Sequence, residues 1–329
     1  MTNKIIFLSL IILILNPLSG SAQFDMPKQK HAQEFLNREL LVELREPRED
    51  ILKEFKKSPE SRDLYLKNLE IANKSIKEFA AKYWQLHTDI KFMTTQEIDE
   101  LLVTKENAEK YAILKADISY GGRRHTVNTI VYIEGYVFRA LLPDQNKWLF
   151  KIMLPNDSMD EIDYRFVFHN MQKYISAAAE GKDKRDESLW NISENIAQLE
   201  ETTLVVAEET LKIEADEARS LYKFPIEILP VEKYFEKLRS EDGKLAYTTM
   251  IMHNTKNIWM YVTVDLSSMN ILSLMTVNGG LNSFSIGTVI GDRSMGGRYV
   301  DLISFKKGIG LDKNYFKYTG SKMALKMNY

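Results

Sequence analysis

The chain contains no cysteine. This absence removes disulfide frameworks, thiolate nucleophiles and thiolate metal sites together, and leaves packing as the source of stability. Histidine is scarce too. His31, His87, His125, His169 and His253 are spread so that no two share a helical turn, and no zinc motif can be written from them. There is no G-x-x-x-x-G-K-[ST] loop and no G-x-G-x-x-G after a strand, so the phosphate-cradling signatures are missing. The G-x-S-x-G nucleophile elbow is missing as well. Ser220 to Lys223 and Ser304 to Lys307 each match S-x-x-K, but the K-T-G partner of penicillin-binding enzymes does not occur. Charge of one sign is also lacking. With 44 Lys and Arg against 46 Asp and Glu, the net charge of −2 favours neither nucleic acid nor an electrostatically held membrane surface as partner. These absences predict no cofactor, no metal and no catalytic residue set.

What is present begins with a leader-like start. Lys4 gives a positive charge, Ile5 to Leu15 is apolar but for Ser9, Pro17 and Gly20 break the run, and Ser21 and Ala22 are small. That order predicts a secretory leader over residues 1–22 with cleavage before Gln23. The run is too short to span a bilayer, which takes about twenty apolar residues. The product is expected to be soluble, periplasmic or secreted, with no integral membrane segment once the leader is removed. At 44% apolar and 11% aromatic residues, the rest of the chain can fill a core.

Beyond the leader, one plan is read twice. "IKFMTTQEIDELLVTKENAEKYAIL" from Ile90 and "IEILPVEKYFEKLRSEDGKLAYTT" from Ile226 each give a short extended run, an amphipathic helix, a charged turn and a new strand. Ile90 falls on Ile226, and Ala112 on Ala246. Upstream, "ELLVEL" from Glu39 corresponds to "TTLVVA" from Thr202. Downstream, "HTVNTIVYIEGYVFRALL" from His125 reads as two strands joined at Glu134-Gly135. "NIWMYVTVDLSSMNILSLMTV" from Asn257 reads as two strands joined across Ser267 to Asn270.

The expectation is an α/β (α+β) protein of two tandem β-α-β-α-β-β-β units. The first, 23–180, carries a long inserted helix marked by Leu64, Leu69, Ile76, Phe79 and Tyr83, and a second helix from Asp160 to Ala179. Residues 181–201, opening on "GKDKRDES", form a charged linker and connecting helix, and 202–329 form the second unit with glycine-rich C-terminal hairpins. From Thr202 to Val277, including "YVTVDLSSMNIL", the element order resembles small α/β domains of the TolB amino-terminal kind. The resemblance implies a fold and carries no function with it.

Two arginine-bearing stretches are the candidate sites. "IGDRSMGGRYVDLISF", Ile290 to Phe305, sits where eight of the 15 glycines gather, and Arg293, Ser294, Gly296, Gly297 and Arg298 form a hairpin tip able to hold an anion or a partner. "YGGRRHT" places Arg123 and Arg124 beside a Gly-Gly turn. His169, inside an apolar helical stretch, reads as a packing residue. Glu134 and Asp265 read as turn residues, and no carboxylate stands out as held in an apolar setting. By elimination the function is binding or scaffolding in a bacterial envelope, with an unknown envelope or secreted protein as partner. A hydrolase with dispersed residues, or a folding helper or inhibitor, is the alternative.

Overall fold

The structure, a computed structural model, describes residues 26–126, 129–154, 160–182, 192–240, 243–253, 258–276 and 310–320. The leader, nearly all of "GKDKRDES" and the whole of "IGDRSMGGRYVDLISF" lie outside these residues.

Two five-stranded mixed sheets are built from one strand order. In the first unit, α1 (Gln29–Leu36) leads into β1 (Glu39–Leu44), followed by α2 (Glu49–Glu54), the long α3 (Pro59–Tyr83), β2 (Ile90–Thr94), α4 (Thr95–Leu101) and α5 (Lys105–Lys110). The antiparallel strands β3 (Tyr111–Thr126), β4 (Thr129–Leu142) and β5 (Lys147–Leu154) complete it. The order across the sheet is β2-β1-β3-β4-β5. After α6 (Glu161–Ala179) and α7 (Ile192–Ala197), the second unit runs β6 (Thr203–Ala207), α8 (Ala215–Leu221), β7 (Ile226–Leu229), α9 (Val231–Ser240), β8 (Leu245–His253), β9 (Ile258–Asp265) and β10 (Ile271–Thr276). Its order is β7-β6-β8-β9-β10, the same path through the sheet. A last helix, α10 (Lys313–Tyr318), folds back beside it through a bridge from Leu311 to Leu211.

The register is shared as well as the order. Leu40 of β1 stands between Ile90 and Ala112, and Leu204 of β6 stands between Ile226 and Ala246. These are the pairs that the apolar pattern aligned. The hairpins were read less well. Glu134-Gly135 is not a turn: β4 runs straight through it, with Gly135 opposite Ser119 and Glu134 opposite Tyr120. The β-formers on both sides, "TIVYI" and "YVF", outweigh a two-residue turn signal. The strand after that hairpin, β5, was not anticipated.

Crossover helices lie on opposite faces of the second sheet. Ala218 of α8 and Tyr222 at its C-cap pack with Leu204, Val206 and Ala246, whereas Tyr234 and Leu238 of α9 pack with Val205, Ala207 and Tyr247. The alternation follows from the period of two along a strand. The α9 face joins a core continuous with the first unit, through Ile76 and Ala80 of α3 and much of α6.

Helix α6 is the strut between the units. Asp160 caps it, accepting from the N–H groups of Ile162 (3.0 Å) and Asp163 (3.2 Å), while the Asp163 carboxylate accepts from the Asp160 N–H in return. Its far end stops at Gly181, whose φ of 86° suits glycine. Phe168 meets Trp84 and Phe138 edge-on, at 5.7 and 6.0 Å between ring centroids. Another side donates to the turn between β9 and β10: Asn170 to the Met269 carbonyl and Lys173 to the Asn270 side chain. Burying that many large apolar residues is worth roughly 1.5–3 kcal/mol for each one fully covered, and a narrow polar stripe from Glu161 through Arg165 and His169 to Gln172 stays partly exposed. Among the described residues, no helix is long and apolar enough to cross a membrane.

Candidate functional site

The two arginine stretches are not brought together by the described residues. Arg123 and Arg124 lie within β3, opposite Val131 and Ile130, and the neighbouring Gly121-Gly122 pairs with Ile133 and Tyr132 instead of turning. The extended backbone continues past both glycines to Thr126, so the predicted Gly-Gly turn is replaced by strand. Arg293, Ser294, Gly296, Gly297 and Arg298 lie outside the described residues. Asp265 behaves as read from sequence: one carboxylate oxygen accepts from the Ser268 N–H and from the hydroxyls of Ser267 and Ser268, closing the turn. His169 is half-buried, and burial lowers its pKa.

A cavity of about 140 Å³, open on one side, lies where the two units meet. The topology explains its position. β6 and β8 are parallel neighbours, but their ladder covers only Thr203–Leu245 and Leu204–Ala246 before the strands part. Val205, Val206 and Ala207 of β6 and Tyr247 to Met250 of β8 line the opening. The chain leaves β6 for β7 on one side and returns to β8 on the other, with helices on opposite faces. That makes this gap the switch point of the sheet, and the cavity sits at the carboxyl end of β6, where such folds form their crevices. Leu154 of β5, Tyr234, Phe235 and Leu238 of α9, Ile162 of α6 and Leu311 close the remaining walls.

Polar groups converge on these apolar walls. Asp160 and Asp163 both line the cavity. Each uses one oxygen on the capping box, and the other oxygen of each has no hydrogen-bond partner among the described residues. Burial pushes the Asp163 carboxyl well above the usual carboxylate range, and the charge of Asp160 adds to it. Burial raises Asp160 as well, against the pull of its bonds to the Asp163 and Ile162 N–H groups and of Arg239. Tyr234 is 9% exposed, and its hydroxyl has no hydrogen-bond partner among the described residues. Its pKa is raised by burial first and then by the charges of both carboxyls, which line the same cavity. Tyr247, also buried, feels the same charges.

No carboxylate had been singled out by sequence as held in an apolar setting, and this pair corrects that. The local signal is an aspartate three residues before a second one at the head of an apolar helix, which reads as an ordinary cap. Only the packing of β6, β8 and α9 around the cap makes it a site. Among the described residues, no three acidic or histidine side chains gather as a metal-binding group. Compared with known proteins, the chain matches no family model, no curated protein and no solved structure.

Proposed function

We propose that this chain is an exported, soluble binding or scaffold protein of a bacterial envelope, and that the crevice between β6 and β8 is its binding site. One observation carries the reading: a cavity at the sheet's switch point that is lined with apolar side chains and a few convergent polar groups. The leader-like start supports export. A second reading, a hydrolase with sequence-dispersed residues, draws on the Asp160–Asp163 pair, since carboxyls whose pKa is raised by burial suit general acid–base work.

Native mass spectrometry of the chain taken from an envelope or secreted fraction tests the binding reading. The expected mass begins at Gln23 and carries one small-molecule adduct per chain, and the adduct is lost in Ala207→Leu, which fills the cavity from β6. A bare chain in both proteins would overturn the crevice as a site, and retention of residues 1–22 would overturn export.

A further inference from the structure

Resting on the crevice as a binding site, the geometry points to a primary amine on a compact apolar body as its ligand. The argument starts from hydrogen-bond inventory. Asp160 and Asp163 each keep one carboxyl oxygen free of the cap, and Tyr234 keeps its hydroxyl oxygen free. An ammonium group has three donors and no acceptor, so three converging acceptors are its complement. Neither carboxyl has an ion-pair partner among the described residues, and partial burial makes a carboxylate costlier until a cation joins it.

Competing ligand classes fit less well. A helix start attracts anions through its free N–H groups, but here Asp160 already occupies those of Ile162 and Asp163. An incoming anion would meet two carboxyls and no donor from the cap. A purely apolar molecule would leave the Tyr234 hydroxyl and both free oxygens unanswered. The charged groups felt by the carboxyl pair include Glu161 on the same helix and Arg239 on α9. Arg239 stands exposed over the Phe235 ring at 5.6 Å and makes no ion pair with Asp160. It therefore leaves the inner side of the pair open to a second cation.

Size and walls set the rest of the molecule. The cavity is close to the roughly 150 Å³ that accommodates a benzene ring in an apolar protein interior. Val205, Leu238 and Met250 offer apolar contact, and the rings of Tyr234, Phe235 and Tyr247 suit a cation near their faces.

Three probes of one shape and different charge test this on the full mature chain: benzylamine, benzyl alcohol and benzoate, each followed by calorimetry. Benzylamine is expected to bind about tenfold or more tightly than benzyl alcohol, with benzoate weakest. Asp163→Asn keeps an oxygen for the cap and is expected to weaken benzylamine by about tenfold while leaving benzyl alcohol unchanged. Tyr234→Phe, which keeps the ring, is expected to weaken benzylamine by a few-fold. Equal binding of benzylamine and benzyl alcohol, or indifference to Asp163→Asn, overturns the amine assignment and leaves the crevice as a site. Preferred binding of benzoate overturns it in the same way. Failure of all three probes to bind overturns both the assignment and the crevice.

Discussion

The two units share strand order and register, yet they treat the same crevice in opposite ways. In the first, the β1–β3 ladder runs four pairs, from Glu39–Tyr111 to Val42–Leu114, twice the length of its counterpart. Past its end the gap is closed by side chains. Lys115 reaches Glu43 at 3.4 Å, and the Arg45 guanidinium donates to the Ala116 carbonyl at 2.9 Å. The inserted helix α3 locks that plug: Asn73 accepts from the Arg45 N–H and donates to its carbonyl, both at 2.9 Å. The second unit has no counterpart of α3, and its gap is the cavity. Two units of one strand order can thus differ at their crevices, because the frame is fixed by backbone pairing and the crevice by a few side chains.

The units also differ in which face they turn inward. Leu40 points into the shared core, whereas Leu204, in the same register position, points to the outer cluster with α8 and α10. The two sheets therefore meet with unlike faces. The carboxyl end of β6 comes against Leu154 and the start of α6, and the first unit's own switch point faces α3 instead.

Removing the plug breaks the comparison most severely. Arg45→Ala leaves the Ala116 carbonyl without its charged donor, while the two Asn73 bonds, made to the Arg45 backbone, are kept. A loss of about 1.5–3 kcal/mol in denaturant unfolding is expected, with the slope unchanged. No loss would show that the ladder alone closes the gap.

Asp163→Asn is expected to act in the other direction and more weakly. The native carboxyl has its pKa raised, so it binds protons more readily in the folded chain than in the unfolded one. Its favourable contribution is complete below the ordinary aspartate range and is lost as pH rises through the raised value. Asparagine does not titrate, so the variant should melt a few degrees higher than the parent at neutral pH, with the gain shrinking towards pH 4. A gain that does not change with pH would show that repulsion within the pair is not what limits the site.

Much of this frame was legible in the sequence, for a physical reason. Apolar periodicity records which residues face a core, so Ile90 with Ile226 and Ala112 with Ala246 could be aligned before their strand partners were known. The helix from Asp160 to Ala179 and the turn at Asp265 were legible because their signals are local. Glu134-Gly135 misled because a turn dipeptide competes with strand partners that are remote in sequence. The crevice was not legible at all. It depends on where a ladder stops, and the Asp160–Asp163 pair looks like a helix cap until β8 and α9 are folded over it.

The smallest expected effect on stability is also the closest test of how the units diverged. Counting five residues on from Leu40 gives Arg45, and from Leu204 it gives Glu209. The alignment that sets Ala112 on Ala246 sets Ala116 on Met250, which lines the cavity. By count, the donor and acceptor that close the first crevice fall at Glu209, in the single 3-10 turn Glu208–Thr210 that follows β6, and at Met250. One carboxylate oxygen of Glu209 is buried without a hydrogen-bond partner among the described residues. An acid thus falls at the counted position of the first unit's donor, and among the described residues no side-chain hydrogen bond joins the carboxyl ends of β6 and β8. Glu209→Arg supplies a donor there. Removing an unanswered buried oxygen and adding a charged hydrogen bond roughly offset the cost of ordering a longer side chain, so stability should change by less than about 1 kcal/mol. The effect should fall on the cavity, with benzylamine binding lost in calorimetry while the melting temperature holds. Glu209→Ala, which removes the oxygen without supplying a donor, should keep binding. If both variants bind benzylamine alike, position 209 does not govern the crevice, and the difference between the units lies in α3 and the length of the ladder alone.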